Sequence, residues 1–163
     1  MAVDMFLKID DLKGESVDHK HKDEIQVLSW SWGMSQSGST HAGPGGGSGK
    51  VNVQDLSFTK HIDDSSPNLI QFCCNGNHFK QALLTVRKAG GKDQVEYLKI
   101  KLQDIIISAV STGGSGHDDR ITENVTLNFG KFEVVYTPQT HTGAAGASKQ
   151  ATWNIPANND KIG

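Results

Sequence analysis

Cysteine, long apolar runs and an excess of charge of one sign are scarce or missing in this chain of 163 residues. The two cysteines, Cys73 and Cys74, are neighbours, so a bond between them would be strained and would close no useful loop. Lys and Arg total 16 against 18 Asp and Glu, a formal net charge of -2. Nucleic-acid binding normally needs a basic excess, so this class is disfavoured.

Membrane and export signals are also missing. No apolar run approaches the roughly 18 residues of a membrane-spanning helix, so we expect no membrane insertion. Residues 1–8 read MAVDMFLK and contain no basic segment followed by a long apolar stretch. We therefore predict no signal peptide, and a protein that is first cytoplasmic.

What the chain does have is period-two alternation rich in β-branched and aromatic residues, which is typical of strands. The segments with this pattern are residues 5–9, 25–36, 51–62, 79–88, 94–111, 121–136 and a last short strand around Trp153 and Ile155. Phase slips near residues 54–55 and at Gly130 suggest β-bulges. The pattern predicts a mainly β fold, an antiparallel β-barrel or sandwich, in a single domain spanning residues 1–163.

The segment 25–36 has two unlike faces. Large apolar side chains alternate with small ones, so one face is predicted to be buried and the other polar. The large side chains are Leu28, Trp30, Trp32 and Met34, and the small polar ones include Ser29, Ser31 and Ser35.

One short helix is predicted at about residues 67–75. Ser66 is a good N-cap and Pro67 is favourable at the first helical position. Gly76 suits the C-terminal end of the helix.

A glycine-rich segment at about residues 37–50 interrupts the strands. Seven of the 18 glycines lie between Gly33 and Gly49. Such a segment buries too little apolar surface to order by itself, so it is either a loop tip or a loop that orders against another chain. A phosphate-binding loop is disfavoured, because Pro44 and Val51 stand where that motif needs glycine and a hydroxyl residue.

Catalytic and metal-binding motifs are missing. The chain has no Gly-x-Ser-x-Gly nucleophile elbow. His19 and His21 are close in sequence, but a solvated charged loop is favoured over a metal site. We therefore predict no enzyme activity, no cofactor and no metal.

Ordered blocks along nearly the whole chain give a specific resemblance. They are MAVDMF (1–6), WSWGMSQSG (30–38), GKVNVQDLSFTK (49–60), SPNL (66–69), VRKAGG (86–91), QVEYL (94–98), STGGSG (111–116) and TENVTLNF (122–129). The chain resembles the Hcp (haemolysin-coregulated protein) family of bacterial type VI secretion systems.

This resemblance implies a structural subunit that forms homohexameric rings. The rings would stack into a tube inside a contractile sheath beneath a VgrG spike, and would be secreted through the type VI apparatus. It further implies that the ring lumen binds and protects effector proteins.

Two sets of residues are candidates for these contacts. The small hydroxyls of Ser29, Ser31 and Ser35 are candidates for the lumen, because they leave a channel wide and weakly adhesive. The glycine-rich loop is a candidate for contact between subunits or stacked rings, since glycine adapts to a neighbouring surface. Its candidate residues are Ser39, His41, Gly43, Pro44, Gly46, Ser48 and Lys50.

Two alternatives remain open. The first is a phage tail-tube-like protein, which would have a similar architecture. The second is a carbohydrate-binding β-sandwich module, which would need exposed aromatic rings. The positions of Trp30 and Trp32 distinguish this second alternative, since we expect both rings to be in the core.

Overall fold

The computed structural model describes residues 3–38, 49–88 and 94–163. These ranges contain ten strands and one helix. The bounds of the long strands differ little from those predicted. In chain order they are β1 (Val3–Ile9), β2 (Ile25–Gln26), β3 (Ser29–Ser31), β4 (Met34–Ser35), β5 (Asn52–Val53), β6 (Leu56–His61), α1 (Ser66–Asn75), β7 (His78–Lys88), β8 (Glu96–Gly113), β9 (Thr122–Tyr136) and β10 (Lys149–Asn154).

All but two of the strands belong to one antiparallel sheet. Its order is β2-β1-β7-β8-β9-β6-β3, and β10 also pairs with β9. Strand β9 is long enough to pair with two strands on one edge. Strand β6 pairs with its first half and β10 with its second half. Strands β4 and β5 form a separate two-stranded ribbon.

The two ends of the sheet are brought together by the chain between Ile25 and Ser31. The Val27 N–H donates to the Met5 carbonyl at 3.0 Å, and the next N–H, of Leu28, donates to the Thr59 carbonyl at 2.8 Å. One run of chain therefore pairs first with β1 and then with β6. The sheet curls into a half-barrel with one short helix, and the predicted mainly β antiparallel fold is confirmed.

This change of partner also corrects the strand predicted for residues 25–36, which is divided into β2, β3 and β4. Trp30 and Trp32 pack against the core as predicted. Leu28 and Met34, predicted on the same buried face, are instead 45% and 47% exposed. Leu28 lies where the chain changes partner, and Met34 belongs to the separate ribbon.

The core lies on the concave side of the sheet. Its side chains alternate along the long strands, with Leu56, Leu127 and Ile107 side by side in one row. Burial of such side chains from water is the main favourable term that stabilises the fold.

At Gly130, where a bulge was predicted, the buried side chains of β9 change from one face of the strand to the other, but the register with β8 does not change. The pairs Gln103–Lys131 and Ile105–Phe129 keep the same offset on either side of it. Both strands change face together, because Asp104 has a left-handed φ of 56° opposite Gly130. The register shift between β8 and β9 lies instead between Ile107 and Ala109.

Helix α1 begins one residue earlier than predicted. Its N-cap is Ser65, which makes no side-chain capping bond, and the predicted cap Ser66 is the first helical residue. Gly76 ends the helix as predicted, with a left-handed φ of 68° that glycine adopts without steric cost. Within the described residues, no helix has the length and apolar character needed to cross a membrane.

Candidate functional surface

Small uncharged side chains from four neighbouring strands, all polar except that of Ala109, meet on the sheet face opposite the core. Strand pairing places them in two rows, each with one residue from β3, β6, β9 and β8. We call these eight residues the polar face: Ser31, Ser57, Thr126 and Ala109 in one row, and Ser29, Thr59, Asn124 and Ser111 in the other. All eight are exposed or half-buried.

Hydrogen bonds between strands fix side chains of the polar face in place. The hydroxyls of Ser57 and Thr126 are 3.1 Å apart. The Thr59 hydroxyl donates to Asn124 Oδ1 at 2.6 Å. Each bond joins β6 to β9 on the solvent side, so these side chains are positioned by the sheet rather than by a loop.

Asp55 fixes one margin of the face, next to the register shift in β8. Its carboxylate accepts from Ser108 Oγ at 2.9 Å and from Asn128 Nδ2 at 2.8 Å. Ser108 is the extra residue at that shift, so the carboxylate ties the bulge to β9. The opposite margin is formed by His61 and Thr122, which pair across β6 and β9.

None of the eight residues of the polar face has an ionisable side chain. Charged residues make up 21% of the chain, so an uncharged patch across four strands is a distinctive feature. The face offers hydroxyl and amide groups to a ligand but no fixed charge.

Comparison with known proteins identifies the family. A family model described as "Type VI secretion system effector, Hcp" matches residues 6–136. The chain belongs to the Hcp family. It is 63% identical over 159 residues to "Protein hcp1" of Pseudomonas aeruginosa, covering 97% of this chain and 98% of that protein.

Solved structures agree with this assignment. The crystal structure of Hcp1 from Salmonella typhimurium is 42% identical, with a TM-score of 0.81 over 99% of this chain and 100% of that one. A type VI secretion system effector from Yersinia pestis is 36% identical, with a TM-score of 0.76 over 93% of this chain and 100% of that one. This Hcp chain is therefore a secreted component of a type VI secretion system.

The structure brings together two of the three serines that the sequence predicted for the lumen. Ser29 and Ser31 are exposed on β3 and belong to the polar face. Ser35 is also exposed, but it lies on the separate ribbon, where it pairs with Asn52. Sequence alternation within one strand missed the six other members of the face, which strand pairing contributes from β6, β8 and β9.

Most of the glycine-rich loop lies outside the described residues. Of the residues predicted for contact between subunits, Ser39, His41, Gly43, Pro44, Gly46 and Ser48 fall in the undescribed range 39–48. Lys50 is described and is exposed, two residues before β5.

The segment of residues 10–24, which we call the strap, covers the outer side of β1 and β7. Gly14 is required where its two arms meet, because an added Cβ would lie 2.5 Å from the Glu24 carbonyl oxygen. His21, predicted in a solvated loop, is instead buried, and its ring stacks on Phe6 with centroids 4.4 Å apart. Its two ring nitrogens lie 2.7 Å from carboxylate oxygens of Glu24 and Glu96.

Ion pairs fasten the strap to the sheet. The buried guanidinium of Arg87 pairs with Asp18 of the strap and with Asp4 of β1. Hydrogen bonding from Arg87 lowers the pKa of Asp18 to about 2, and the same bond raises the pKa of Arg87. Burial acts to raise the pKa of Glu96, but hydrogen bonds from His21 and Lys99 outweigh it and lower that pKa.

A second ionic cluster lies under the start of α1. Lys60 and Glu123 pair across β6 and β9 with fully buried side chains. Ser66 Oγ donates to Glu123 Oε1 at 2.6 Å and accepts from Lys60 Nζ at 3.0 Å. The side chain expected to cap the helix therefore anchors it to the sheet.

No metal centre is formed by the part of the chain that is described, where no three His, Cys, Asp or Glu side chains are grouped to hold an ion. Cys73 is half-buried, Cys74 is exposed, and both are free thiols.

Proposed function

We propose that this Hcp chain is the structural subunit of the secretion tube. Six copies form a ring, rings stack inside the contractile sheath beneath the VgrG spike, and the polar face lines the channel. The subunit assembles in the cytoplasm and leaves through the type VI apparatus. The observation that carries this proposal is the uncharged polar face, which spans four strands and carries only small side chains.

Small hydroxyl side chains suit a channel wall through which other proteins pass. They leave the bore wide and offer weak hydrogen bonds that water replaces at little cost. The proposal includes temporary binding of effector proteins at this face, because cargo that must later leave needs a surface of this kind.

The edge of the sheet supports assembly with a second copy. Strand β3 ends the sheet, and within the described residues β6 is its one strand partner. An unpaired edge beside the polar face allows a neighbouring subunit to continue the sheet, so that faces from successive copies form one wall. Repetition of one such contact closes into a ring when its rotation allows.

A carbohydrate-binding role is disfavoured by the tryptophans. Trp32 makes edge contacts with Phe129 and Phe132, and its Nε1 donates to the Gln54 carbonyl at 2.9 Å. Trp30 also packs against the core. Both rings are half-buried, whereas a sugar-binding platform needs exposed aromatic rings. A phage tail-tube role shares the same architecture, and the family assignment favours the secretion tube.

The mass in solution tests the proposal. Six chains of 17.6 kDa give about 106 kDa, which we expect from size exclusion with light scattering, followed by rings in electron micrographs. A monomer at every concentration up to about 1 mM, far above the usual range for stable assemblies, would contradict it.

Deletion of residues 43–47 tests the proposed stacking role of the glycine-rich loop. We expect the ring mass and the unfolding midpoint to stay unchanged, because long loops tolerate changes in length at little cost in free energy. We expect stacks of rings to become rarer in electron micrographs, since the contact between rings is shortened. Replacement of Gly45 and Gly47 by serine, which keeps the length of the loop, is the control for the change in length. Normal stacking of the shortened protein would remove the loop from the interface.

A further inference from the structure

A shallow hollow of about 170 Å³ lies within the polar face. At roughly 30 Å³ for each water in the liquid, its volume corresponds to about five to six waters, which is room for a small side chain. The residues that line it are Ser29, Trp30, Ser31, Ser57, Phe58, Thr59 and Asn124.

The hollow contains hydrogen-bonding groups that the protein itself does not use. The Thr59 hydroxyl donates to Asn124 Oδ1, whereas Asn124 Nδ2 has no acceptor among the described residues. The hydroxyls of Ser29 and Ser31 likewise make no hydrogen bond within the described ranges. The hollow therefore presents one amide donor and two hydroxyls, which both donate and accept.

Charge limits what this site can hold. An ion placed in the hollow would give up water without meeting an opposite charge, because none of the surrounding residues of the polar face is ionisable. A neutral group that both donates and accepts hydrogen bonds loses much less free energy on leaving water, since each of its hydrogen bonds with water is replaced by one in the hollow. A carboxamide, as in asparagine, glutamine or the peptide backbone, combines an acceptor oxygen with N–H donors.

We propose that this hollow is a binding site for an uncharged carboxamide of a passing protein, with Asn124 Nδ2 donating to the amide oxygen and the hydroxyls of Ser29 and Ser31 accepting its N–H groups. That the hollow faces the tube channel rests on the proposed function, whereas the amide binding does not. In a ring, six such sites act together, so weak contacts sum to useful retention without any salt-dependent term.

Saturation-transfer NMR on the full chain tests the site with two probes of nearly equal shape. Acetamide carries the carboxamide and no other amide, and acetate carries a carboxylate in its place. We expect at least about threefold more saturation of the amide probe, because the carboxylate gives up more hydration than the uncharged donors of the hollow return. We also expect less than about a twofold change for the amide probe between about 50 and about 500 mM NaCl.

A matched pair of variants locates the binding. Asn124→Asp keeps the Oδ1 acceptor for Thr59 but replaces the Nδ2 donor with a charged acceptor, so saturation of the amide probe falls by about threefold or more. Gln150→Glu makes the same change in charge on exposed β10, which pairs with the other half of β9, and leaves saturation unchanged. If Asn124→Asp lowers the unfolding midpoint, Ser31→Ala serves as the second variant.

Three results would overturn the inference: equal saturation of the two probes, a signal that salt abolishes, or a signal that survives both Asn124→Asp and Ser31→Ala. The light-scattering mass of the same sample separates this outcome from failure of the proposed function. A 106 kDa ring without amide binding rejects the site alone, and a monomer that binds the amide rejects the ring alone.

Discussion

Replacement of Glu123 by glutamine is expected to lower the free energy of unfolding by about 3 kcal/mol, because it leaves the buried Lys60 ammonium without its main counter-charge. Both side chains have no exposed area, so water cannot take over the lost interaction. The remaining partners of Lys60 Nζ are Asp63 Oδ1 and the His61 carbonyl, each at 3.0 Å, and Ser66 Oγ. Glutamine keeps the size of the side chain, so the loss reports charge rather than a cavity.

The measurement is the urea midpoint at constant m-value, read beside amide hydrogen exchange in α1. Faster exchange at the start of the helix is expected, since Ser66 loses its carboxylate acceptor. The double variant Lys60→Met/Glu123→Leu is the matched control. It removes both charges and should recover at least half of the lost stability, because a buried ion pair contributes little beyond its apolar replacement. A Glu123→Gln protein within about 0.5 kcal/mol of the wild type would contradict this account.

Alternation along the chain predicted the long strands, because their side chains divide between a buried and a solvated face. The same pattern contained the signal for this buried pair. Lys60 follows Leu56 and Phe58 in phase, and Glu123 precedes Val125 and Leu127 in phase. A charged residue at an apolar position of two strands predicts an ion pair once the strands are known to be neighbours. That neighbourhood is a property of the topology, so neither segment alone reveals it.

Tertiary contacts decided what the sequence did not reveal. The partner change after Val27 divides one predicted segment into three strands, and the buried phase changes there from Ile25 and Val27 to Trp30 and Trp32. His21 lies among charged residues in sequence, and its burial depends on Phe6 and on Glu96, which is 75 residues away. The polar face could be predicted only in part. Alternation within β3 indicated two of its residues, and the other six follow from how β6, β9 and β8 pair.

Replacement of Arg87 by glutamine is expected to release the strap and to cost about 2–3 kcal/mol at neutral pH. The guanidinium is buried, pairs with Asp18 and Asp4, and lies over the Phe6 ring at 5.0 Å from its centroid. Glutamine keeps a polar group there but supplies neither the charge nor the forked donors. Two backbone hydrogen bonds within the strap serve as the readout. The Gly14 N–H donates to the Asp23 carbonyl and the Asp23 N–H to the Ser16 carbonyl, each at 2.8 Å, and we expect both amides to exchange faster once the strap loosens.

The pH dependence identifies the ion pair as the cause. The pKa of Asp18 is lowered from 3.8 to about 2 in the folded protein, so the pair stabilises the fold fully above pH 3.8 and loses this contribution as the pH falls towards 2. The difference in stability between wild type and Arg87→Gln is therefore expected to be constant from neutral pH to about 4.5 and to shrink below it. Arg87→Lys, which keeps the charge without the fork, should lie between the two proteins. A difference that stays constant down to about pH 2 would mean that Arg87 acts through packing on Phe6, and that its charge does not hold the strap.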